Sequence, residues 1–237
     1  MLKRKEAATS ELSPAMRQAS STNNAEALLA ASRLELLRSL RQGGVPERVV
    51  AAFAAVPRER FVPAPLRAHA YEDRPLALGE EQTISQPYMI ARMLIELDLR
   101  PEDRVLDIGT GSGYQAALLG CLCRQVFSVE VRPALLERAQ RTLDALGYRN
   151  VHTFLGDGRQ GLAAYAPFDV IICAAATDDV PPALVAQLAP GGRLALPVGD
   201  KDQQRLWVGR KPAAGAADDT IQWQGHEACT FVPLVRA

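Results

Sequence analysis

An apolar segment that ends in a glycine-rich turn constrains the fold of this chain more strongly than any other feature. The segment reads VLDIGTGSGY over residues 105–114, with Gly109, Gly111 and Gly113 in the turn. Glycines permit a tight turn and let the backbone approach a ligand closely. The N-terminus of the helix that follows adds N–H donors and a positive partial charge. We therefore expect a cofactor to bind at this turn, beyond the carboxyl end of a buried strand.

Short apolar segments alternate with helical segments after Pro101, which indicates a doubly wound α/β fold with a mostly parallel sheet. The predicted strands are RVLDIG, QVFSVE, NVHTFLGD, FDVIICAAA and GGRLALPVG. Three later segments, RLWVGRK, TIQWQ and ACTFVPLV, are interpreted as antiparallel additions to this sheet. Before Pro101 we predict a helix from Ala25 and a second helix after Pro46, because each segment has apolar residues on one face. These residues are Leu28, Leu29, Leu36, Leu37 and Leu40 in the first helix, and Val49, Val50, Phe53 and Val56 in the second. A third helix is predicted from Pro87, because proline is well suited to the first position of a helix.

The chain divides by composition into three regions. Residues 1–24 are rich in Ser, Thr, Asn and Ala and are predicted to be a disordered tail. Residues 25–100 form a helical, loop-rich region that is expected to contribute substrate contacts. Residues 101–237 form the cofactor-binding domain with its C-terminal strands.

Charge and composition argue against several classes of protein. The chain has 27 basic and 27 acidic residues, so its totals provide no positive field for nucleic acid. Its four cysteines and three histidines lack metal-ligand spacing, and no apolar run approaches the roughly 18 residues of a membrane span. We predict a cytoplasmic protein with reduced thiols, no metal, no nucleic-acid or membrane partner, and a monomeric state.

Two acidic residues at predicted strand ends favour a nucleoside ligand. Glu130 ends the second strand, where a carboxylate can accept hydrogen bonds from both ribose hydroxyls. Asp157, beside Gly158, is placed to accept from an adenine amino group. A solvated charge and an Asp-Gly turn are the alternative interpretations. The spacing GxGxG, with Tyr114 where a dinucleotide site has its third glycine, makes an NAD-dependent oxidoreductase the weaker alternative.

Two further motifs are more specific than the glycine-rich turn. They are VPRERFVP at residues 56–63 and TISQP at residues 83–87, followed by LDIGTGSGYQ, SVE, GDG, PFDVIICAA, LPVG and FVPLV. In this order, from Leu34 to Val235, the chain resembles the protein-L-isoaspartate O-methyltransferase family. The resemblance implies a Rossmann-like fold of the S-adenosylmethionine-dependent methyltransferase type. It implies methyl transfer from S-adenosyl-L-methionine to the free carboxylate of L-isoaspartyl residues in damaged proteins, whose ester then converts through a succinimide to aspartate.

The resemblance also assigns roles to individual residues. It implies Ser85 as the catalytic residue, which without the resemblance would be interpreted as a polar residue at a helix entry. Substrate contacts are expected from Ser85 and from LPVG through Leu196, Pro197 and Val198, a segment that a buried strand end would explain equally well. The residues expected to bind the cofactor are Thr83, Ile84, Gly109, Thr110, Gly111, Ser112, Gly113, Glu130, Val131, Asp157 and Gly158.

This chain departs from the family pattern at two places. It has GEEQTISQ where the family shows an approach such as GNGQTISQ, and Thr177 where a proline is common after the fourth strand. The acidic Glu80 and Glu81 predict a preference for neutral or basic residues around the isoaspartyl residue. The alternatives left open are a methyltransferase of the same fold with another acceptor, and a module that binds the cofactor without catalysis.

Overall fold

The computed structural model of the protein describes residues 14–200, 203–218 and 220–235, with side chains from residue 24 onwards. The helices are α1 (Pro14–Gln42), α2 (Glu47–Ala55), α3 (Pro87–Glu96), α4 (Tyr114–Leu122), α5 (Pro133–Ala145) and α6 (Pro182–Ala186). The strands are β1 (Leu76–Gly79), β2 (Gln82–Ile84), β3 (Arg104–Ile108), β4 (Gln125–Glu130), β5 (Val151–Leu155), β6 (Phe168–Cys173), β7 (Leu188–Val198), β8 (Gln204–Arg210) and β9 (Gln222–Cys229).

A seven-stranded sheet in the order β5-β4-β3-β6-β7-β8-β9 forms the centre of the molecule. The strands from β5 to β7 are parallel, and β8 and β9 add antiparallel at one edge. The predicted fold class and the antiparallel additions are thereby confirmed. Because β4 and β6 flank β3 on opposite sides, their carboxyl ends enclose a crevice, which is where ligands bind in open α/β sheets.

The C-terminal segments differ from the sequence-based expectation in one respect. TIQWQ and ACTFVPLV were expected to be separate strands, but β9 runs continuously through Gln222–Cys229. The FVPLV segment then leaves the sheet edge, and Pro233 pairs with Ala176 in an isolated parallel bridge. Pro233 has no N–H group, and this bridge uses the carbonyl of Val232 and the N–H of Leu234 on either side of it.

The first three helices pack against the sheet rather than forming a core of their own. Leu40 on α1, Phe53 on α2 and Met93 on α3 belong to the same buried cluster as Val126 of β4 and Leu206 of β8. This arrangement follows from the apolar face of α2, which the sequence predicts, and from the buried apolar residues of α3.

The start and the apolar stripe of α1 are corrections to the prediction. The helix begins at Pro14 instead of Ala25, so residues 14–24 of the predicted tail are helical, and residues 1–13 lie outside the described part of the chain. Leu28 was placed on the buried stripe, yet it is 62% exposed, whereas Leu36 and Leu37 are buried. Residues 24–28 of this helix are all exposed, so the buried packing of α1 comes from its later turns.

Strands β1 and β2 form a hairpin inside the loop-rich stretch before α3, which the sequence did not predict. Its turn contains Glu80 and Glu81 at φ angles of 54° and 57°, a left-handed conformation that favours glycine. The hairpin carries Thr83 and Ile84 and leads directly to Ser85. In the part of the chain that the structure describes, no helix is long and apolar enough to cross a membrane.

Candidate active site

The glycine-rich turn joins β3 to α4, and its shape depends on glycine. Gly109, Gly111 and Gly113 have φ angles of 88°, 54° and 87°. Other L residues adopt this left-handed region only at a cost of roughly 1–2 kcal/mol. The N–H groups of Gly109 and Thr110 both donate to the carbonyl of Val129, at 2.9 and 3.1 Å. The turn is therefore fixed against the end of β4.

A buried carboxyl group connects the turn to the sheet. Asp107 is fully buried on β3 and accepts from the Ser128 hydroxyl and from Nε2 of Gln115, each at 2.7 Å. Ser128 in turn lies 2.6 Å from the hydroxyl of Thr110. Burial raises the pKa of Asp107 to about 6, although the two hydrogen bonds lower it. No role was predicted for Asp107, and the structure shows that it links β3, β4, the turn and α4.

Glu130 is held in place by three backbone N–H groups. Gly111 donates to its Oε2 at 2.8 Å, and Val131 and Arg132 both donate to Oε1 at 3.0 Å. A carboxylate has about four acceptor positions, so acceptance from both hydroxyls of a ribose requires one backbone bond to be shared or released. Glu130 therefore orients its own turn and retains capacity for a ligand.

An inner cavity opens at the carboxyl ends of β3, β4 and β6. It is lined by Gln82, Thr83, Ile84, Ser85, Ile90, Gly109, Thr110, Gly111, Ser112, Tyr114, Gln115, Val129, Glu130, Val131, Arg132, Gly158, Ala174, Ala175 and Val232, Pro233, Leu234 and Val235. All residues predicted to bind the cofactor are among these except Gly113 and Asp157. A Cβ on Gly113 would meet Ala139 and Leu143 of α5 at 3.3 Å, so this glycine permits close helix packing.

Asp157 lies outside the inner cavity. Its Oδ1 accepts from the N–H of Arg159 at 2.9 Å and caps a short 3-10 helix. Its side chain lines a separate groove together with Asp179 and Pro181. The neighbouring Gly158 does line the cavity, and a Cβ there would lie 2.5 Å from Ile108.

Several residues that line the inner cavity were not predicted from the sequence, and Gln115 and the FVPLV segment are the most informative of them. Gln115 lines the cavity, and its buried Oε1 has no hydrogen-bond partner among the described residues. The FVPLV segment forms a wall because the N–H of Ala176 donates to Val232 at 2.8 Å and Leu234 donates back to Ala176 at 2.7 Å. The motif signalled that this segment matters, but its place in the cavity depends on a contact between residues far apart in the sequence.

These features fit S-adenosylmethionine. Glu130 can accept from ribose hydroxyls, and the unpaired Oε1 of Gln115 can accept from a donor such as an ammonium group. The glycine-rich turn allows close approach of the ligand, and Ile84 and Leu234 provide apolar contact.

Ser85 lies at the entry to α3, directly before its N-cap, but does not itself cap this helix. The N-cap of α3 is Gln86, without a side-chain cap hydrogen bond. Instead, Oδ1 of Asp73 accepts from the N–H of Tyr88 at 2.8 Å, and its Oδ2 accepts from the Gln86 side chain at 3.0 Å. Within the described residues, no hydrogen bond engages the Ser85 hydroxyl.

An outer groove adjoins the inner cavity. It is lined by Pro75, Thr83, Ser85, Gln86, Met89, Ala174, Ala228, Cys229, Thr230, Phe231 and Val232. Thr83, Ser85, Ala174 and Val232 belong to both linings, so Ser85 lies in the wall between the two spaces. Among the described residues that line the outer groove, none is charged.

The backbone of the LPVG segment is already engaged in hydrogen bonds. Leu196 and Pro197 are buried on β7, which pairs with β8 along one side. On the other side, the carbonyl of Pro197 accepts from Thr177 at 3.1 Å, and Gly199 donates to Thr177 at 2.9 Å. Leu196, Pro197 and Val198 line neither the inner cavity nor the outer groove, and a peptide contact there would require the Thr177 bridge to open.

Comparison with known proteins identifies the family. The sequence model described as Protein-L-isoaspartate(D-aspartate) O-methyltransferase matches residues 31–237. The chain belongs to this family. It is 50% identical over 197 residues to the protein-L-isoaspartate O-methyltransferase of Koribacter versatilis, which covers 83% of this chain and 86% of the relative. The Serratia proteamaculans enzyme is 50% identical over 202 residues, covering 85% and 94%.

Solved structures agree with this assignment. A protein-L-isoaspartate O-methyltransferase with 32% identity superimposes with a TM-score of 0.77 over 85% of this chain, which spans 65% of that protein's chain. A Plasmodium falciparum protein of the same named class, in complex with S-adenosyl-L-homocysteine, has 22% identity and a TM-score of 0.74, and shows the shared fold. The predicted family and its class of activity, a protein-repair methyltransferase, are confirmed. An oxidoreductase and a methyltransferase for an unrelated acceptor are no longer alternatives.

Proposed function

We propose that the inner cavity binds S-adenosyl-L-methionine, that the outer groove binds an isoaspartyl residue of a damaged protein, and that Ser85 holds the reacting carboxylate. The observation that carries this proposal is the position of Ser85 in the wall shared by the two spaces, with a hydroxyl that no described residue engages. A group at this position can contact a ligand in either space.

S-adenosylmethionine supplies, when bound, a methyl group on a positively charged sulfur. Glu130 would hold the ribose of S-adenosylmethionine. The turn from Gly109 to Ser112 would lie along its methionine portion, and Gln115 would accept a hydrogen bond from one of its donor groups. Arg132 follows Glu130 and lies 3.7 Å from Glu80 of the hairpin, so the hairpin turn is close to the residues that hold the cofactor.

The acceptor carboxylate needs no general base, because a carboxyl group with a pKa of about 3.9 is already ionised at neutral pH. Ser85 therefore acts by donating a hydrogen bond that fixes one carboxylate oxygen and leaves the other free to react. Fixing the reacting atoms in line is the main source of rate in such a reaction.

The uncharged outer groove suits this chemistry in two ways. Methylation removes the negative charge of the carboxylate, so a groove that excludes water and offers no cation avoids stabilising the charged reactant. A groove without charged side chains also accepts many sequences around one damaged residue. The backbone amide nitrogen then attacks the ester carbonyl and closes the succinimide. The methoxy group leaves with the amide proton as methanol.

Ser85→Ala tests the role of Ser85. Loss of one hydrogen bond to a charged group predicts a fall in kcat/KM of about 10- to 100-fold. The dissociation constant for S-adenosylmethionine, measured by calorimetry, should change less than about threefold. Ser39→Ala is the matched control and should leave kcat/KM unchanged, since Ser39 is exposed on α1 and lines neither space. An unchanged kcat/KM in Ser85→Ala would remove Ser85 from the mechanism.

A monomeric state, a cytoplasmic location and the absence of nucleic-acid partners stay predictions from the sequence.

A further inference from the structure

A fully buried arginine lies in the VPRERFVP motif. The methyl-transfer reaction proposed above assigns no role to it. Arg58 begins a 3-10 turn after α2 and has no accessible surface. Among the described residues no carboxylate is within ion-pair distance of it, and burial lowers the pKa of its guanidinium, although the charge of Asp73 partly opposes this. A buried charge without a direct ion-pair partner is costly, and an apolar side chain would fill this space with less loss of stability.

The guanidinium contacts three segments that are far apart in the sequence. Its Nε donates to the carbonyl of Ala70 at 2.7 Å, and its Nη2 donates to the carbonyl of Ser85 at 3.0 Å. Its centre lies 4.8 Å from the ring centroid of Tyr114, the first residue of α4. Arg58 thus connects the segment before the hairpin, the TISQP motif and the glycine-rich turn.

The guanidinium also interacts with the polar end of the Tyr114 side chain. Nη1 of Arg58 and the hydroxyl of Tyr114 are both buried, and neither has another hydrogen-bond partner among the described residues. The interaction between the two side chains opposes the effect of burial, which lowers the pKa of Arg58 and raises that of Tyr114. Arg58 therefore contacts both Ser85 and Tyr114, and both of these residues line the inner cavity.

We propose that Arg58 is a positioning residue for methyl transfer: it fixes the Ser85 main chain relative to the glycine-rich turn, and so aims the Ser85 hydroxyl at the acceptor carboxylate. This inference rests on the proposed role of Ser85. The planar fork of arginine donates in two fixed directions, which are the directions of the Ala70 and Ser85 carbonyls. Lysine keeps the charge but cannot reproduce both bonds together with the ring contact.

Kinetics of Arg58→Lys and Arg58→Gln test the proposal. Both variants should lower kcat/KM for an isoaspartyl peptide, on the order of 10-fold or more, because small displacements of a positioned group are costly. The dissociation constant for S-adenosylmethionine should change less than about threefold. The concentration of cofactor-binding sites is measured by calorimetry, and rates are divided by it. A partly unfolded variant then still gives the kcat/KM of its folded molecules. Arg60→Lys is the control, since Arg60 is exposed in the same turn.

A double-mutant cycle separates positioning from a purely structural role. If Arg58 acts through Ser85, Arg58→Lys should lower kcat/KM much less in a Ser85→Ala background than in the wild-type chain. Equal effects in the two backgrounds, or wild-type kcat/KM in folded Arg58→Lys, would overturn this inference alone. An unchanged kcat/KM in Ser85→Ala would overturn the proposed role of Ser85 and this inference with it.

Discussion

The hydroxyl of Ser128 donates to Oδ2 of Asp107 at 2.7 Å, between two neighbouring parallel strands. This bond places a fully buried carboxyl group next to the cofactor turn. The carboxyl oxygens each accept one hydrogen bond, but their charge is far from water, which explains the raised pKa.

We expect Asp107 to make the stability of the protein depend on pH. Its pKa is about 6 in the folded protein and about 3.9 in an unfolded chain, so the folded state binds more protons between these values. The contribution of Asp107 to the free energy of unfolding is therefore full below about pH 4 and falls as the pH rises through 6, by at most about 3 kcal/mol. Asp107→Asn lacks this dependence. The free energy of unfolding of both proteins is measured in urea from pH 4.5 to 7. The stability of the wild type relative to Asp107→Asn should decrease as the pH rises. A difference that does not change with pH would contradict the raised pKa of Asp107.

Glu130→Gln should weaken binding of S-adenosylmethionine by about 10- to 100-fold. The substitution replaces an acceptor oxygen by a donor that faces backbone N–H groups, and it removes hydrogen bonds between a charged group and the ribose, each with a net contribution of about 1.5–3 kcal/mol. Calorimetry measures the change. Glu137→Gln, on the exposed face of α5, is the control and should bind normally. Wild-type affinity in Glu130→Gln would exclude Glu130 from the cofactor site.

Glu81→Gly should stabilise the protein, which is unusual for a substitution by glycine. Glu81 has a φ angle of 57°, so glycine relieves strain of roughly 1–2 kcal/mol and loses part of this gain through the greater freedom of the unfolded chain. The expected net increase in the free energy of unfolding is about 0.5–1 kcal/mol, measured in urea. Glu102→Gly, at an exposed turn residue without a positive φ, should destabilise. Equal losses in both variants would show that the hairpin turn is unstrained.

The acidic hairpin should affect the choice of substrate. Glu80 lies near Arg132, while Glu81 is exposed and has no ion pair among the described residues. Isoaspartyl peptides with basic flanks should have a kcat/KM up to about fivefold higher than peptides with acidic flanks, because exposed charge pairs are worth at most about 1 kcal/mol. Glu81→Gln or added salt should reduce the ratio. Equal rates on both peptides in the wild-type chain at low salt would remove the preference.

The sequence predicted the parts of the site that depend on local order along the chain. The turn from Gly109, the strand end at Glu130 and the start of α3 at Pro87 follow from glycine and proline geometry and from strands that end at one rim. The catalytic role of Ser85 was predicted only from the resemblance of the TISQP motif to the family.

The missed features depend on contacts between distant residues. Asp73 caps α3 from a separate loop, and Asp107 gains its network only when β3, β4 and α4 come together. Glu81 in a left-handed turn could not be predicted from its residue type, since glycine or asparagine is the usual residue there. Asp157 is an exception to this pattern, because a local contact occupies one of its oxygens: Oδ1 accepts from the N–H of Arg159 and caps the 3-10 helix that follows.

Transfer of labelled methyl from S-adenosylmethionine to an isoaspartyl peptide, beside the same peptide with normal aspartate, tests the proposed reaction. We predict base-labile label on the isoaspartyl peptide alone, because we propose that only its carboxylate reaches Ser85 at the wall between groove and cavity. Cofactor binding without label on either peptide, or equal label on both, would contradict it.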